Sequence, residues 1–396
     1  MKVEKQTVLM IAPTPFFAHR GTHIRILEEA RALDQRGHHV TIMTYHIGED
    51  IPKAYRGSID VKRINRLLFW YKKIEAGPNW QKIILDIMLF RKALFFALSK
   101  SPTVIHTHLH EGALIGWCIQ KFLFWKKMKL VVDFHGGLTE EMVSHAYLKN
   151  SFVKRFFIAL ERWIDNRGDV ALASSSENKE SLQSFRSKGT PLHVLSDGVD
   201  GQEYRGEESQ KKLREQLSLP AHKTILCYTG AFINNKGIQY LLDALPFLQD
   251  HSDALHVVFG GYPGVRIEDF VHKHHLESLV SVISPVDYFT LPELLRACDF
   301  AVDPKDTTSH QASGKILHYM AAGLPVVCFD RPTNLEVLGD GAFVAQKVSA
   351  QSLAERILEA LRSPSEIQRK GAVNLEQVQQ HTWARVGQQL EEIYAK

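Results

Sequence analysis

Short runs of β-branched and other apolar residues alternate along the whole chain with longer stretches whose apolar positions recur at helical spacing. That alternation predicts a parallel sheet wound with helices. In the first half the predicted strands are TVLMIAP, HVTIMTY, TVIHTHL, KLVVDFH, VALASS and LHVLSD. Between the first two, HIRILEEARALDQRG reads as a helix that stops at Gly37, a suitable residue just past a helix end, and this makes one βαβ unit. A second series starts near residue 222 with KTILCYTG and continues through ALHVVFGG, VSVISP, DFAVDP, LPVVCF and AFVAQ, with helical stretches between. The polar, glycine-bearing stretch GVDGQEYRGEESQKKLREQLSLPAHK separates the two series and marks a boundary. The reading is α/β, with two Rossmann-like doubly wound domains, 1–198 and 199–376, facing across a cleft. A final helix within 377–396 belongs to either domain. Ligands of such sheets bind at the carboxyl ends of the strands.

Composition changes this picture little, and charge changes it more. The chain has 396 residues and a net charge of +4, but residues 1–200 hold 29 Lys and Arg against 20 Asp and Glu, whereas 201–396 hold 19 against 24. Within 53–129 there are 15 basic residues against four acidic ones, so the first half offers a basic surface to an anionic partner. The segments RLLFWYKKIEAGPNWQKIILDIMLFRKALFFALSK, WCIQKFLFWKKMK and FVKRFFIALERW mix those basic residues with Phe, Trp, Leu and Ile. No apolar run is long enough to span a membrane, but this mixture suits an interfacial patch on an anionic bilayer, unless the aromatics are simply core. No nucleic-acid-binding motif accompanies the patch, and no nucleic acid is expected. Cys118, Cys227, Cys298 and Cys328 are widely spaced and read as reduced thiols of a cytosolic protein. The opening MKVEKQTVLMIAPTP ends its short apolar run in prolines, which fits a first strand better than a signal peptide.

Three turns carry candidate chemistry. Gly21 lies just ahead of the first helix, where free N–H groups can hold a phosphate or a sugar, or it serves only a tight turn. Gly230 ends a strand, and Lys236-Gly237 precede an amphipathic helix, so Lys236 can donate to a diphosphate or stand as a solvated lysine. In SHQASGKILHYMAAGLPVV, residues 309–327, Ser313 is expected to cap a helix that runs to Gly323. Gly314 would admit a ligand at its start and Lys315 would add a cation, although a plain capped helix reads the same way. His106, His108 and His110 alternate, and His272, His274 and His275 cluster. Neither group brings a carboxylate or cysteine at a ligand spacing, so no metal is expected.

Taken in order, the glycine loop before ALDQRGHHVTIMT, then VIHTHLHEGAL, FHGG, VLSDGVD, YTGAFINNKGIQYLLDAL, VVFGGYPG, LPELLRACDFAVDP and KILHYMAAGLPVV resemble retaining glycosyltransferases of the GT-B fold, family four. The resemblance covers nearly the whole chain. It implies transfer of a hexose from a UDP- or GDP-type sugar to a lipid-linked or glycan acceptor, with no cofactor and no metal. The implied place is the cytoplasm, peripheral on the inner face of the membrane, within cell-envelope glycan synthesis. It implies roles for His108, His135 and Lys236 in the reaction, and for Gly21, Gly230, Gly260, Ser313, Gly314 and Lys315 beside the donor. The family's two glutamates correspond here to His310 and His318, and its basic residue after the strand-end glycine to Ala231. A degenerate subunit that binds sugar nucleotide or a partner without transfer is the competing reading.

Overall fold

Each apolar run of the two series becomes a strand in one of two wholly parallel sheets of the computed structural model, which describes residues 4–72, 80–139, 142, 151–184, 186, 189–306 and 313–395. The first sheet holds β1 (Thr7–Ala12), β2 (His39–Thr44), β3 (Asp60–Arg63), β4 (Val104–His108), β5 (Lys129–Phe134), β6 (Val170–Ala173) and β7 (Leu192–Val194), in the order β3-β2-β1-β4-β5-β6-β7. The second holds β8 (Thr224–Ala231), β9 (Leu255–Tyr262), β10 (Val280–Ile283), β11 (Phe300–Asp303), β12 (Val326–Phe329) and β13 (Ala342–Ala345), in the order β10-β9-β8-β11-β12-β13. Both orders reverse once, between β1 and β4 and between β8 and β11. Such a reversal opens a crevice at the carboxyl ends of the two strands.

Continuous burial explains the apolar runs. Val8 to Ala12 in β1 and Phe300 to Val302 in β11 have no exposed surface, because helices cover both faces of a parallel sheet. Only β3 has no counterpart among the predicted strands. Its sequence, DVKR, pairs on one side alone, at the sheet edge, where polar residues are tolerated.

The chain divides into two compact units, Met1–Ser196 with Trp383–Lys396, and Asp197–Thr382. These limits differ from 198/199 and 376/377 because the helix Pro364–Gln377 runs on into a turn, Val378–Gln380, whose Val378 is buried in the second unit. Val199 then pairs with Thr382, and its N–H donates to His381 O at 2.9 Å. The helix Trp383–Ala395 completes the first unit. Its Glu391 accepts from Arg36 Nε at 2.8 Å and meets His38 Nε2 at 2.9 Å, while Gly387 packs on Ala32.

The helix predicted to end at Gly323 closes as glycine chemistry requires. Past Lys315–Ala321, Gly323 (φ +73) donates to Met320 O and Leu324 N–H to Tyr319 O, a Schellman closure. The other end departs from expectation. Gly314 occupies the N-cap position with no side-chain cap, since the Ser313 hydroxyl bonds the Asp303 carboxylate instead.

Candidate functional site

In the first unit the crevice at β1 and β4 is lined by a closely paired polar group. His108 closes β4 and His135 follows β5, with His108 Nδ1 3.2 Å from His135 Nε2. Asp133 Oδ2, near the end of β5, lies 3.4 Å from His108 Nδ1 and 3.1 Å from His135 Nε2. Arg25, from the helix Gly21–Gln35, holds that carboxylate through Nε at 2.7 Å and Nη2 at 3.2 Å, and also reaches Leu195 O. Burial pushes the Asp133 carboxyl up, but Arg25 and then His135 more than offset it and keep it well below the usual range. Burial lowers the pKa of His108 to about 4, so its ring is neutral at physiological pH. His106 stacks on His108 at 4.6 Å and meets Tyr394 Oη at 2.7 Å through Nδ1.

The turn between β1 and the first helix is fixed from within. Burial lowers the pKa of His23 to about 3, and its ring nitrogens bond Thr14 Oγ1 at 2.7 Å and Ala18 N–H at 3.0 Å. Gly21 opens the helix without a positive φ, and a β-carbon there would meet no atom of the described residues within 4 Å. Backbone geometry therefore does not demand glycine at this position. The three alternating histidines do not share a face: β4 stops at His108, Leu109 turns with φ +65, and His110 begins a helix.

In the second unit cations gather at the carboxyl ends of β8, β11 and β12. Gly230 ends β8 with φ +128, and Gly261 of β9 lies so close that a β-carbon would fall 1.8 Å from Gly230 O. Gly260, just before it, faces Leu294 and Val286. Lys236 sits on the turn Asn234–Lys236, and Gly237 (φ +74) packs on Pro304, where a β-carbon would lie 1.9 Å from the carbonyl oxygen. Only glycine fits there. That contact sets Lys305 beneath the Lys236 turn. Lys305 is 1% exposed and Arg331, after β12, is 2% exposed. Burial first, then Lys236 and Arg331, lowers the pKa of Lys305 to about 6. Nothing in the sequence singles out Lys305 or Arg331, since each stands alone beside a proline or an aspartate.

Other predicted residues take different places. Lys315 is not presented to solvent: its Nζ is buried 3.2 Å from Asp303 Oδ1 and 3.9 Å over the Tyr228 ring. It acts as the internal counter-ion of a fully buried carboxylate. Asp303 accepts as well from Asn334 Nδ2 at 3.2 Å, and although burial raises its pKa, Lys315 and Lys305 bring it below the usual value. Gly314 faces the Asp197 carboxylate, 2.8 Å from where a β-carbon would stand. His318 bonds Tyr204 Oη at 2.7 Å through Nδ1, and burial lowers its pKa to about 4, so a neutral ring stands where the resemblance places a carboxylate. His310 lies outside the described residues. His272, His274 and His275 are exposed at the end of the helix Val265–Lys273, with His274 stacked on Phe270.

The first unit also exposes large apolar side chains in number. Phe69, Trp70, Trp80, Ile83, Ile87, Phe95, Phe122, Phe124, Trp125, Phe152 and Phe156 are all more than half exposed. In the helix Trp80–Lys100 the buried positions Leu85, Leu89, Ala93 and Ala97 form one stripe, Met88, Phe90, Leu94 and Phe96 pack partly beside it, and Trp80, Ile83, Ile87 and Phe95 are left to solvent.

Two families match the chain: that described as Glycosyltransferase Family 4 over residues 19–203, and that described as Glycosyl transferases group 1 over residues 209–374. A D-inositol 3-phosphate glycosyltransferase of Corynebacterium aurimucosum is 24% identical, covering 95% of this chain and 90% of its own length. Spore coat protein SA of Bacillus subtilis is 26% identical over 59% of this chain and 66% of that protein. Sucrose-phosphate synthase from Thermosynechococcus elongatus is similar in structure with TM-score 0.79 at 19% identity, covering 99% of this chain and 98% of that one. Anabaena Alr3699/HepE in complex with UDP and glucose gives TM-score 0.77 at 16% identity, covering 99% of this chain and all of the other. At such identities the structural likeness speaks for the fold.

Proposed function

The chain belongs to the glycosyltransferases of group 1 and family 4, with the GT-B-type fold, and within that family we propose a retaining transferase that moves a hexose from a nucleoside-diphosphate sugar to a lipid-linked or glycan hydroxyl. The observation that carries this reading is the cation group at the ends of β8, β11 and β12. Among the described residues, Lys236, Lys315 and Arg331 stand around Asp303 and the nearby Asp306, three positive groups against two negative, and Lys305 beside them is held largely neutral near pH 7 by burial and the same positive field. Buried positive charge in excess is costly, and a diphosphate supplies the missing negative charge. Lys236 and Arg331, with Lys305 once a diphosphate favours its protonated form, stabilise the charge that grows on the leaving phosphate, and stabilising developing charge commonly contributes more to catalysis than any other single effect. UDP, bound by the HepE structure, is the first nucleotide to test.

In the proposed reaction the bond from the sugar C1 to the diphosphate oxygen breaks and the acceptor oxygen bonds C1 on the same face. The acceptor proton passes to the departing phosphate oxygen, without a metal. His108 and His135, held by Asp133, orient the sugar and acceptor rather than exchange protons. The exposed aromatic residues of the first unit come from the same stretches of sequence as the exposed Arg66, Lys72, Lys121, Lys127 and Lys154, which supports peripheral attachment to an anionic cytosolic membrane face. No helix among the described residues is long and apolar enough to cross a membrane.

Thermal stability screened against UDP, GDP and ADP, followed by transfer from the matching hexose donor, tests the reading. A rise in melting temperature with one nucleotide, lost in Lys236→Ala, is expected. Failure of every nucleotide to stabilise the chain removes it. His318 in the place of a ribose-binding carboxylate favours a second reading, a subunit that binds the nucleotide sugar without transfer. Nucleotide binding with neither transfer nor donor hydrolysis would select that one.

A further inference from the structure

Outside the two groups described, the first unit holds another cluster of ionisable side chains. His110, on the first turn of the helix Leu109–Phe122, faces Glu161 and Asp165 near the end of the helix Ser151–Asp165. The spacing of four residues puts both carboxylates on one helix face. His110 Nε2 lies 3.2 Å from Asp165 Oδ1 and 3.8 Å from Glu161 Oε1. One ligand atom from each of the three residues falls within 4.8 Å of the others.

Two of these atoms lack a hydrogen bond in a dry place. The side chains of His110 and Asp165 are 5% and 2% exposed, yet neither His110 Nε2 nor Asp165 Oδ1 has a hydrogen-bond partner among the described residues. The two atoms lie at an ion-pair distance without the geometry of a hydrogen bond. A buried nitrogen and a buried carboxylate oxygen left this way each cost free energy, and a cation coordinated by both removes the cost.

The surroundings favour such an ion. Thr139 donates through N–H at 3.1 Å and through its hydroxyl to Glu161 Oε2, which orients the carboxylate and leaves Oε1 turned to His110. Outer partners of this kind are usual around metal ligands. Arg186 is a neighbouring cation whose Nη1 donates to the main-chain oxygen of Asp165 rather than to its carboxylate. The other set of buried histidines and acids, Glu29, His106, His108 and Asp133, differs because Arg25 already lies 3.0 Å from Glu29 and 2.7 Å from Asp133.

We propose that His110, Glu161 and Asp165 bind a divalent transition-metal cation of the zinc class. One imidazole and two carboxylates suit zinc, with a fourth position left to water. The ion would tie the helix after β4 to the helix Ser151–Asp165 and, through Thr139, to the turn that follows His135. It takes no part in transfer, and this inference stands apart from the proposed reaction.

The full chain, stripped with a chelator and carrying alanine at the exposed His272, His274 and His275, is titrated with Co²⁺ and then Zn²⁺. One equivalent of Co²⁺ with ligand-field absorption, displaced by Zn²⁺, is expected. Asp165→Asn and Glu161→Gln, each checked for fold by circular dichroism, should weaken binding at least about tenfold. Absence of that equivalent, with a proton on His110 held between the carboxylates instead, overturns the proposal, as does unchanged affinity in a folded Asp165→Asn. If the variants do not fold, anomalous scattering from a Zn²⁺-soaked crystal decides, since a peak must lie within bonding distance of all three residues.

Discussion

The polar group at the end of β4 and β5 and the one at the end of β8, β11 and β12 occupy equivalent places in two similar sheets, yet their charges are arranged in opposite ways. In the first unit Arg25 lies between Asp133 and Glu29, His108 is neutral, and the buried charges are tied to one another within the group. In the second unit Lys236, Lys315 and Arg331 face two carboxylates among the described residues, and Lys305 beside them yields its proton readily because it is buried and its neighbours are positive. A group whose charges meet one another is a scaffold that holds its shape unaided. One with cations in excess is a receptor that is completed by its ligand.

The sharpest way to break this contrast is to take one member out of the first group. Asp133→Ala leaves Arg25 buried beside Glu29 alone, and about 3–5 kcal/mol of stability should be lost, read by urea denaturation. Next in size, Lys236→Ala should leave stability nearly unchanged and cut turnover about a hundredfold, measured with saturating donor. Equal losses of stability in both variants would dissolve the distinction. Lys305 sharpens it further. Its folded pKa of about 6 lies below the ordinary lysine value of 10.5, so the unfolded chain binds more protons between those limits. Stability should therefore fall as pH drops from about 10 toward 6, less steeply in Lys305→Met, and a bound nucleoside diphosphate should flatten the slope. Thermal melts across that range, with and without UDP, check the sign. Tyr204→Phe should cost about 1 kcal/mol, since His318 Nδ1 loses its partner, with a larger effect on nucleotide affinity than on turnover. The smallest effect on folding belongs to the surface: Phe124→Ser with Trp125→Ser should leave the melting temperature within about a degree or two yet reduce co-sedimentation with anionic vesicles.

The fold is largely legible in the sequence because parallel strands are buried on both faces and appear as unbroken apolar runs. β3 is the exception, since an edge strand such as DVKR has no such run. Local features of the site are legible too, Gly237 and Gly323 among them, because a left-handed or crowded backbone selects glycine. What the sequence hides is the pairing between distant segments. Arg25 and Asp133 are 108 positions apart, and Lys305 and Arg331 come from separate loops. Periodicity misleads at His110, since alternation places it on an extended strand that in fact stops where Leu109 turns. Ser313 reads as a cap from its place before a helix, although a nearby buried carboxylate competes for its hydroxyl.

The helix Trp383–Ala395 has a consequence for how the molecule comes into being. His106, the stacking partner of His108, bonds Tyr394, and Lys129 donates to Ile393 O at 2.6 Å. During synthesis these partners leave the ribosome only after all of Asp197–Thr382 has been made. The first half of the chain must therefore wait, incomplete along one flank, while the second half is finished, a long-range closure of the kind that slows folding. A chaperone that covers Ala32 and its neighbours would meet its substrate in that interval.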